Sequence, residues 1–241
     1  MTTGTLFGIG IGPGDPDLIT VKGVQLLSRC RHIVVPKASE SAESLALRIV
    51  RKHLGPDAEI HPVVFPMTTR QDQLMARWRD SAGFVASFLS KGEDVCFPTL
   101  GDPFLYSTYV YLVRALRDIQ PEARILTVPG VTAFSAVAAA TEFAVGEGKR
   151  CVTIIPTADD LAELRGALDR RGTVVIMKIG KRLDAVLDVL EKYHVMETGV
   201  FAAHVGMPGE IVETDLRKLR GCEERTGYLS IILTHTGMED L

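Results

Sequence analysis

The sequence predicts an α/β protein of two lobes. The N-terminal lobe is built on a mainly parallel sheet with helices, and the C-terminal lobe on a mixed sheet with helices. Two patterns carry this expectation. Through the first half of the chain, short β-branched runs alternate with longer segments of helical period, which is how strands joined by helical crossovers read. Toward the end, strand-like runs follow one another with little between them, so part of the second sheet must be antiparallel. A length of 241 residues suits two lobes of about 100 to 150 residues, each able to bury a core.

In order, the first-lobe strands fall at residues 5–10, 32–35, 59–65, 94–97 and 124–128. Between them, Val21, Val24 and Leu27 repeat at helical spacing, as do Leu45 and Ile49, and Leu74, Trp78, Val85 and Leu89 in the longest helix; these are expected core faces. A helix over residues 131–140 ends in an alanine run. Residues 141–148 then offer two glycines and no period, which places the lobe boundary there, between 1–144 and 145–241. Second-lobe strands are expected at residues 151–155, 173–179, 199–203, 210–214 and 228–233, with helices at 160–169 and 183–193. There is no internal repeat or low-complexity segment.

Composition excludes several classes. Lys and Arg total 27 against 30 Asp and Glu, a net charge of −3, so no cationic field exists to grip nucleic acid. Hydrophobic residues at 46% and charged residues at 24% are ordinary for a globular chain. The charge-free stretch 125–141 is broken by Pro129-Gly130 and several hydroxyls, so it reads as strand, turn and helix rather than a membrane span. The first charge is Asp15, so no basic region precedes the glycine-rich start; a secretory signal is not expected, and the chain is expected to begin where it is written. Cys30, Cys96, Cys151 and Cys222 stand far apart without a C-x-x-C pair, against a disulfide framework or zinc site and in favour of a reducing cytoplasm. The six histidines show no metal-ligand spacing, and no metal is expected.

Three loops carry the chemistry. The first, Gly8-Ile-Gly-Ile-Gly-Pro-Gly-Asp-Pro-Asp-Leu-Ile-Thr20, follows a strand and precedes a helix. A G-x-G-x-x-G fingerprint fails in both registers, with Pro13 or Asp15 at the last glycine position, and the second strand ends in Pro36-Lys37 rather than a ribose-binding acid. No phosphate-binding G-x-x-x-x-G-K-[ST] occurs either. Glycines at 8, 10, 12 and 14 let backbone approach something flat or bulky, or else make a tightly packed turn. In the second loop, Thr99-Leu-Gly-Asp-Pro-Phe-Leu-Tyr-Ser107, Asp102 is expected to cap a helix with Pro103 in its first turn. Exposed amides beside Gly101 there suit a carboxylate or hydroxyls. The third loop, Val128-Pro-Gly-Val-Thr-Ala-Phe-Ser135, repeats the geometry with Thr132 supplying a hydroxyl. Loops at the carboxyl ends of parallel strands share one side of the sheet, where open α/β folds place ligands.

Taken together, Gly8-x-Gly-x-Gly-Pro-Gly-Asp-Pro-x-Leu-x-Thr20, Gly101-Asp-Pro103 and Pro129-Gly-Val-Thr-Ala133 resemble the tetrapyrrole (corrin/porphyrin) methylase family over essentially the whole chain. The resemblance implies a two-lobed S-adenosyl-L-methionine-dependent methyltransferase, with the cofactor in the cleft between lobes and released as S-adenosyl-L-homocysteine. Within the family, Val34-Val-Pro-Lys37, Glu43-Ser-Leu-Ala-Leu47 and Gly101-Asp-Pro-Phe-Leu-Tyr-Ser-Thr108 are most similar to the branch that methylates C20 of precorrin-2 or cobalt-factor II on the route to vitamin B12. Leu100 stands where the uroporphyrinogen-III branch has a glycine.

The resemblance also implies site residues. Cofactor contacts fall on Leu100, Gly101, Asp102, Leu105, Tyr106, Thr132, Ala133, Met177 and Val205 or Gly206, with Pro13 at the methyl donor. Gly10, Gly12 and Gly14 line the floor beneath the macrocycle, and Lys37 is the first choice for its carboxylates. Arg70, Arg77 and Arg79, and in the second lobe Lys178, Lys181 and Arg182, are further choices. A homodimer is implied, without nucleic-acid or membrane partners. Methyl transfer from a sulfonium to an electron-rich meso carbon needs alignment above all, worth about 7 to 11 kcal/mol against the ~10²- to 10⁴-fold of one general base. No triad or metal-activated water is therefore expected. The leaving proton goes to Asp15, Asp102 or solvent, and either aspartate can instead be a cap or turn residue. The alternatives are another ring position, diphthine synthesis, which the matches around Lys37 and Ser107 disfavour, or a non-catalytic tetrapyrrole-binding protein.

Overall fold

β1 (Thr5–Gly10) is buried along its whole length and sets the first sheet: Leu6 faces one helical layer, while Phe7 and Ile9 face the other. The computed structural model describes residues 3–65, 70–157, 160–222, 227 and 229–237. Two units make up the chain, Met1–Thr132 and Ala133–Leu241. In the first, β1 is followed by α1 (Val21–Arg29), β2 (His32–Lys37), α2 (Leu45–Val50), β3 (Glu59–Val64), α3 (Gln71–Leu89), β4 (Val95–Thr99), α4 (Tyr109–Ile119) and β5 (Arg124–Val128). The strand order is β3-β2-β4-β1-β5, and every pairing is parallel.

Helices cover both faces of this sheet. Leu26 and Leu27 of α1 and Ile49 and Val50 of α2 pack on Ile9, Ile33 and Val35. On the other face, Val85 and Leu89 of α3 and Leu112 and Leu116 of α4 pack on Leu6, Val34 and Phe97. Hydroxyl caps start α1 and α2: Thr20 Oγ1 accepts from Gly23 N at 3.2 Å, and Ser44 Oγ accepts from Leu47 N at 3.2 Å. Val21 departs from its expected place in the core. It is 75% exposed, because Gly23, Leu26 and Leu27 form the inward face. Gly8 faces α4, where an added Cβ would lie 2.1 Å from the Tyr109 ring; the missing side chain admits the ring, whose hydroxyl reaches Thr127 Oγ1 at 2.8 Å.

The second unit comprises α5 (Ala133–Thr141), β6 (Cys151–Pro156), α6 (Ala162–Leu168), β7 (Gly172–Met177), α7 (Leu183–Lys192), β8 (Gly199–Ala203), β9 (Ile211–Glu213) and β10 (Ser230–Thr236). Its sheet runs β6-β7-β10-β8-β9, parallel only between β6 and β7. Ile176, Phe201 and Ile232 face α6 and α7; Val175, Val200 and Leu233 face α5 through Val137. That second contact puts α5 with this sheet, so the division falls between Thr132 and Ala133, upstream of the 141–148 segment the sequence suggests. Tyr228, expected to open the last strand, lies outside the described residues, and β10 continues to Thr236. Among the described residues, no helix is long and apolar enough to cross a membrane.

Candidate functional site

In the first unit the three loops join at the carboxyl edge of the sheet. Ile11 N donates to Thr99 O at 3.0 Å, Gly101 N to Gly12 O at 2.7 Å, and Gly130 N to Asp102 Oδ2 at 3.1 Å. Gly12 and Gly101 form an antiparallel bridge. Backbone fills the space beside Gly10: a Cβ there would lie 2.5 Å from Gly130 N and 2.8 Å from Gly101 O. Gly10 therefore serves the close packing of the loops on one another, and Gly12, Pro13 and Gly14 are buried with it. Gly101 differs. Its φ is +68°, and a Cβ there would meet nothing within 4 Å, so one side of the second loop presents open backbone at the half-buried rim.

Both candidate aspartates hold turns. Asp15 Oδ1 accepts from Asp17 N at 2.8 Å, capping the 3-10 turn Pro16–Leu18. Asp102 Oδ1 accepts from Phe104 N at 2.9 Å while its Oδ2 braces Gly130. The helix expected to begin at Pro103 begins instead at Tyr109. The intervening Tyr106 is left-handed, φ 52°, which breaks any continuous helix. The fold supplies a brace that motif reading did not assign: buried Thr99 Oγ1 and Ser107 Oγ lie 2.8 Å apart, and Ser107 Oγ accepts from Tyr109 N at 3.1 Å. Its only trace in the sequence is a hydroxyl at each end of the Leu-Gly-Asp-Pro-Phe-Leu-Tyr segment. Leu100, Leu105 and Thr132 are half-buried and Tyr106 is exposed.

Lys37 ends β2 on this same edge, with its side chain 15% exposed; Nζ donates to Glu40 O at 2.6 Å and faces the Glu40 carboxylate at 3.4 Å. Arg70, just before α3, pairs with Asp72 at 3.0 Å, and Arg77 and Arg79 are exposed further along that helix.

The second unit gathers its own candidates. β7 and β8 are both antiparallel to β10, so Met177 and Ala203 end on one edge, in register with Ile231 and Ser230. Beyond them, Lys178 (φ 59°), His204 (φ 53°) and Gly206 (φ 73°) are all left-handed. Non-glycine residues held there cluster at ligand clamps. Met177 O accepts from Thr157 N at 2.8 Å, and Gly206 N donates to Glu210 Oε2 at 2.5 Å. Val205 is buried, while Ala133, Met177, Lys178 and Arg182 are half-buried and Lys181 is exposed.

A further group is assembled by strand pairing. Glu59 and His61, two residues apart in β3, and His32 of the neighbouring β2 bring one ligand atom each within 4.8 Å of the others.

The two sheets and the carboxyl-edge loops form an architecture that other chains share. A profile of the Tetrapyrrole (Corrin/Porphyrin) Methylases matches residues 5–220. The chain belongs to this family of methyltransferases. It is 30% identical over 236 residues to the cobalt-precorrin-2 C(20)-methyltransferase of Salmonella typhimurium, covering 98% of both chains. To the precorrin-2 C(20)-methyltransferase of Sinorhizobium sp it is 28% identical over 239 residues, 95% of this chain and 94% of the relative. The fold is that of a cobalt precorrin-4 methyltransferase solved by X-ray crystallography, with a TM-score of 0.73, 23% identity and coverage of 96% and 94%. It is also that of uroporphyrin-III-C-methyltransferase from Thermus thermophilus, with a TM-score of 0.63, 20% identity and coverage of 97% and 92%.

Proposed function

We propose that this chain transfers a methyl group from S-adenosyl-L-methionine to C20 of precorrin-2 or its cobalt form, in cobalamin biosynthesis. The observation that carries this reading is near-full-length similarity to two enzymes named for that position, one of them for the cobalt ring. A precorrin-4 C(11)-methyltransferase of Mycobacterium tuberculosis is 32% identical over a shorter 194 residues, against 236 and 239 residues for the two C20 enzymes.

The open backbone at Gly101, with left-handed Tyr106 following it, fits a cofactor laid against a loop rather than side chains. Bound there, S-adenosylmethionine supplies a methyl group on a positively charged sulfur, electrophilic toward an electron-rich ring carbon. Leu100, Gly101, Asp102, Leu105, Tyr106 and Thr132 of the first unit, and Ala133, Met177, Val205 and Gly206 of the second, are the contacts we assign to it. Pro13 lies at the donor, and Gly10, Gly12 and Gly14 hold the backbone floor under the ring. The residues' task is to align donor and acceptor, a contribution of about 7 to 11 kcal/mol when geometry is fixed beforehand. Asp15 and Asp102 are committed to turns, which favours solvent as the destination of the ring proton. Lys37 meets a substrate carboxylate by exchanging it for Glu40. The working form is a homodimer in the cytoplasm.

Incubation with S-adenosylmethionine and precorrin-2, with and without cobalt, tests the reading. S-adenosylhomocysteine should accumulate only when a ring is present. No turnover with either ring would overturn the assignment.

A further inference from the structure

We propose that the first unit binds a divalent transition ion of the Zn(II) class through His32 Nδ1, Glu59 Oε2 and His61 Nε2, at the sheet edge opposite the three loops. Strand periodicity creates the group. Glu59 and His61 share one face of β3, and parallel register sets His32 of β2 beside Glu59. His32 and Glu59 open their strands and His61 follows two residues on, whereas the loops leave the carboxyl ends.

Distances match the chemistry. His32 Nδ1 and His61 Nε2 are 3.2 Å apart, and His32 Nδ1 lies 3.4 Å from Glu59 Oε2. Two ligands each about 2.0 to 2.1 Å from a tetrahedral zinc are separated by about 3.3 Å. Imidazole and carboxylate donors suit Zn(II), Co(II) and Ni(II). Without an ion, one imidazole donates its N–H to the other; an incoming ion takes that proton's place between the two nitrogens, and the donor ring carries its proton on its other nitrogen instead, so both metal-bound imidazoles are neutral.

The surroundings hold the ligands in position. His32, with only 6% of its side chain exposed, stacks on Phe88 at 4.2 Å, and His61 meets Phe84 edge-on at 5.4 Å. The second ring nitrogen of His32 faces Glu93 Oε2 at 3.6 Å, where metal-bound histidines commonly keep a carboxylate. Arg31 occupies the other oxygen, Glu59 Oε1, leaving Oε2 to point at the imidazoles. Glu59 remains 45% exposed and borders a hollow of about 660 Å³ lined also by Arg31, Gly55 and Asp57, so its carboxylate is open to solvent. Such an ion would pin the edge strand β3 to β2.

Calorimetric titration of chelator-stripped, untagged full-length protein with ZnCl2 tests the proposal, paired with the visible absorption of the Co(II)-substituted form. One equivalent should bind, Co(II) should show the intense bands of four-coordination, and Zn(II) should raise the melting temperature. Glu59→Gln and His61→Gln should each weaken binding about 10- to 100-fold, and Glu93→Gln by about 10-fold. The Glu59 variant keeps the shape of the side chain, and circular dichroism checks that each variant is folded. His194→Gln, at an exposed imidazole in the other unit, should bind as the parent does. Absence of a stoichiometric site, or affinity unchanged in folded Glu59→Gln and His61→Gln, would overturn the proposal.

Discussion

Gly101 and Gly8 both lack a side chain, for opposite reasons. Around Gly101 there is room but a left-handed backbone, so Gly101→Arg costs about 1 to 2 kcal/mol of conformational strain and projects its chain over the rim. We predict roughly 100-fold weaker S-adenosylhomocysteine binding by calorimetry, about 2.7 kcal/mol, with an unchanged circular dichroism spectrum. Undiminished affinity would put the donor elsewhere. At Gly8 the backbone is ordinary but the space is full. Gly8→Ala drives a methyl into the Tyr109 ring, an overpacking worth about 1 to 3 kcal/mol. Urea unfolding should register the loss, and adding Tyr109→Leu should recover part of it; strictly additive losses would refute the contact. Glycine spacing marked these positions in the sequence, but not which glycine faces a ring, which a neighbouring loop and which open space. That depends on partners such as Gly130 and Tyr109, more than 100 residues away.

Elements with a strong local signal were legible. β1, β5 and β8 have the limits that their β-branched and small residues suggest, and the three loops follow their strands as expected. Local signals misled where a single backbone conformation decides the outcome: Asp102-Pro103 looks like a helix start, yet left-handed Tyr106 delays α4 to Tyr109. Register between strands was invisible as well, which is why nothing in the sequence sets His32 beside the Glu59 and His61 pair. Another histidine lends β10 a pH dependence. His235 stacks on Phe143 at 4.2 Å and bonds Thr173 Oγ1 at 3.1 Å; burial first, and Arg150 second, hold its pKa below the ordinary 6.5. The unfolded chain then binds the proton more readily, so this contribution to stability is complete above pH 6.5 and declines as pH falls toward the folded-state value. Denaturation midpoints across that window should drop toward acid, and His235→Gln should flatten the slope. A slope unchanged by the substitution would contradict this assignment.

For the whole molecule, length and patterning gave two units, and packing moved their division to the front of α5, because Val137 belongs with Val175, Val200 and Leu233. The apolar period of that helix shows that it has a buried face without showing which sheet covers it. Net charge −3 says only that cations for a polyanionic ring must be local, and the structure adds that Lys37 is held by Glu40 and Arg70 is paired with Asp72. The central claim concerns the carbon that receives the methyl group. Carbon-13 NMR of the product formed from methyl-labelled S-adenosylmethionine and precorrin-2, or its cobalt form, addresses it most directly. The label should appear as a single methyl on C20; enrichment at another ring carbon, or none in either ring, would contradict the account.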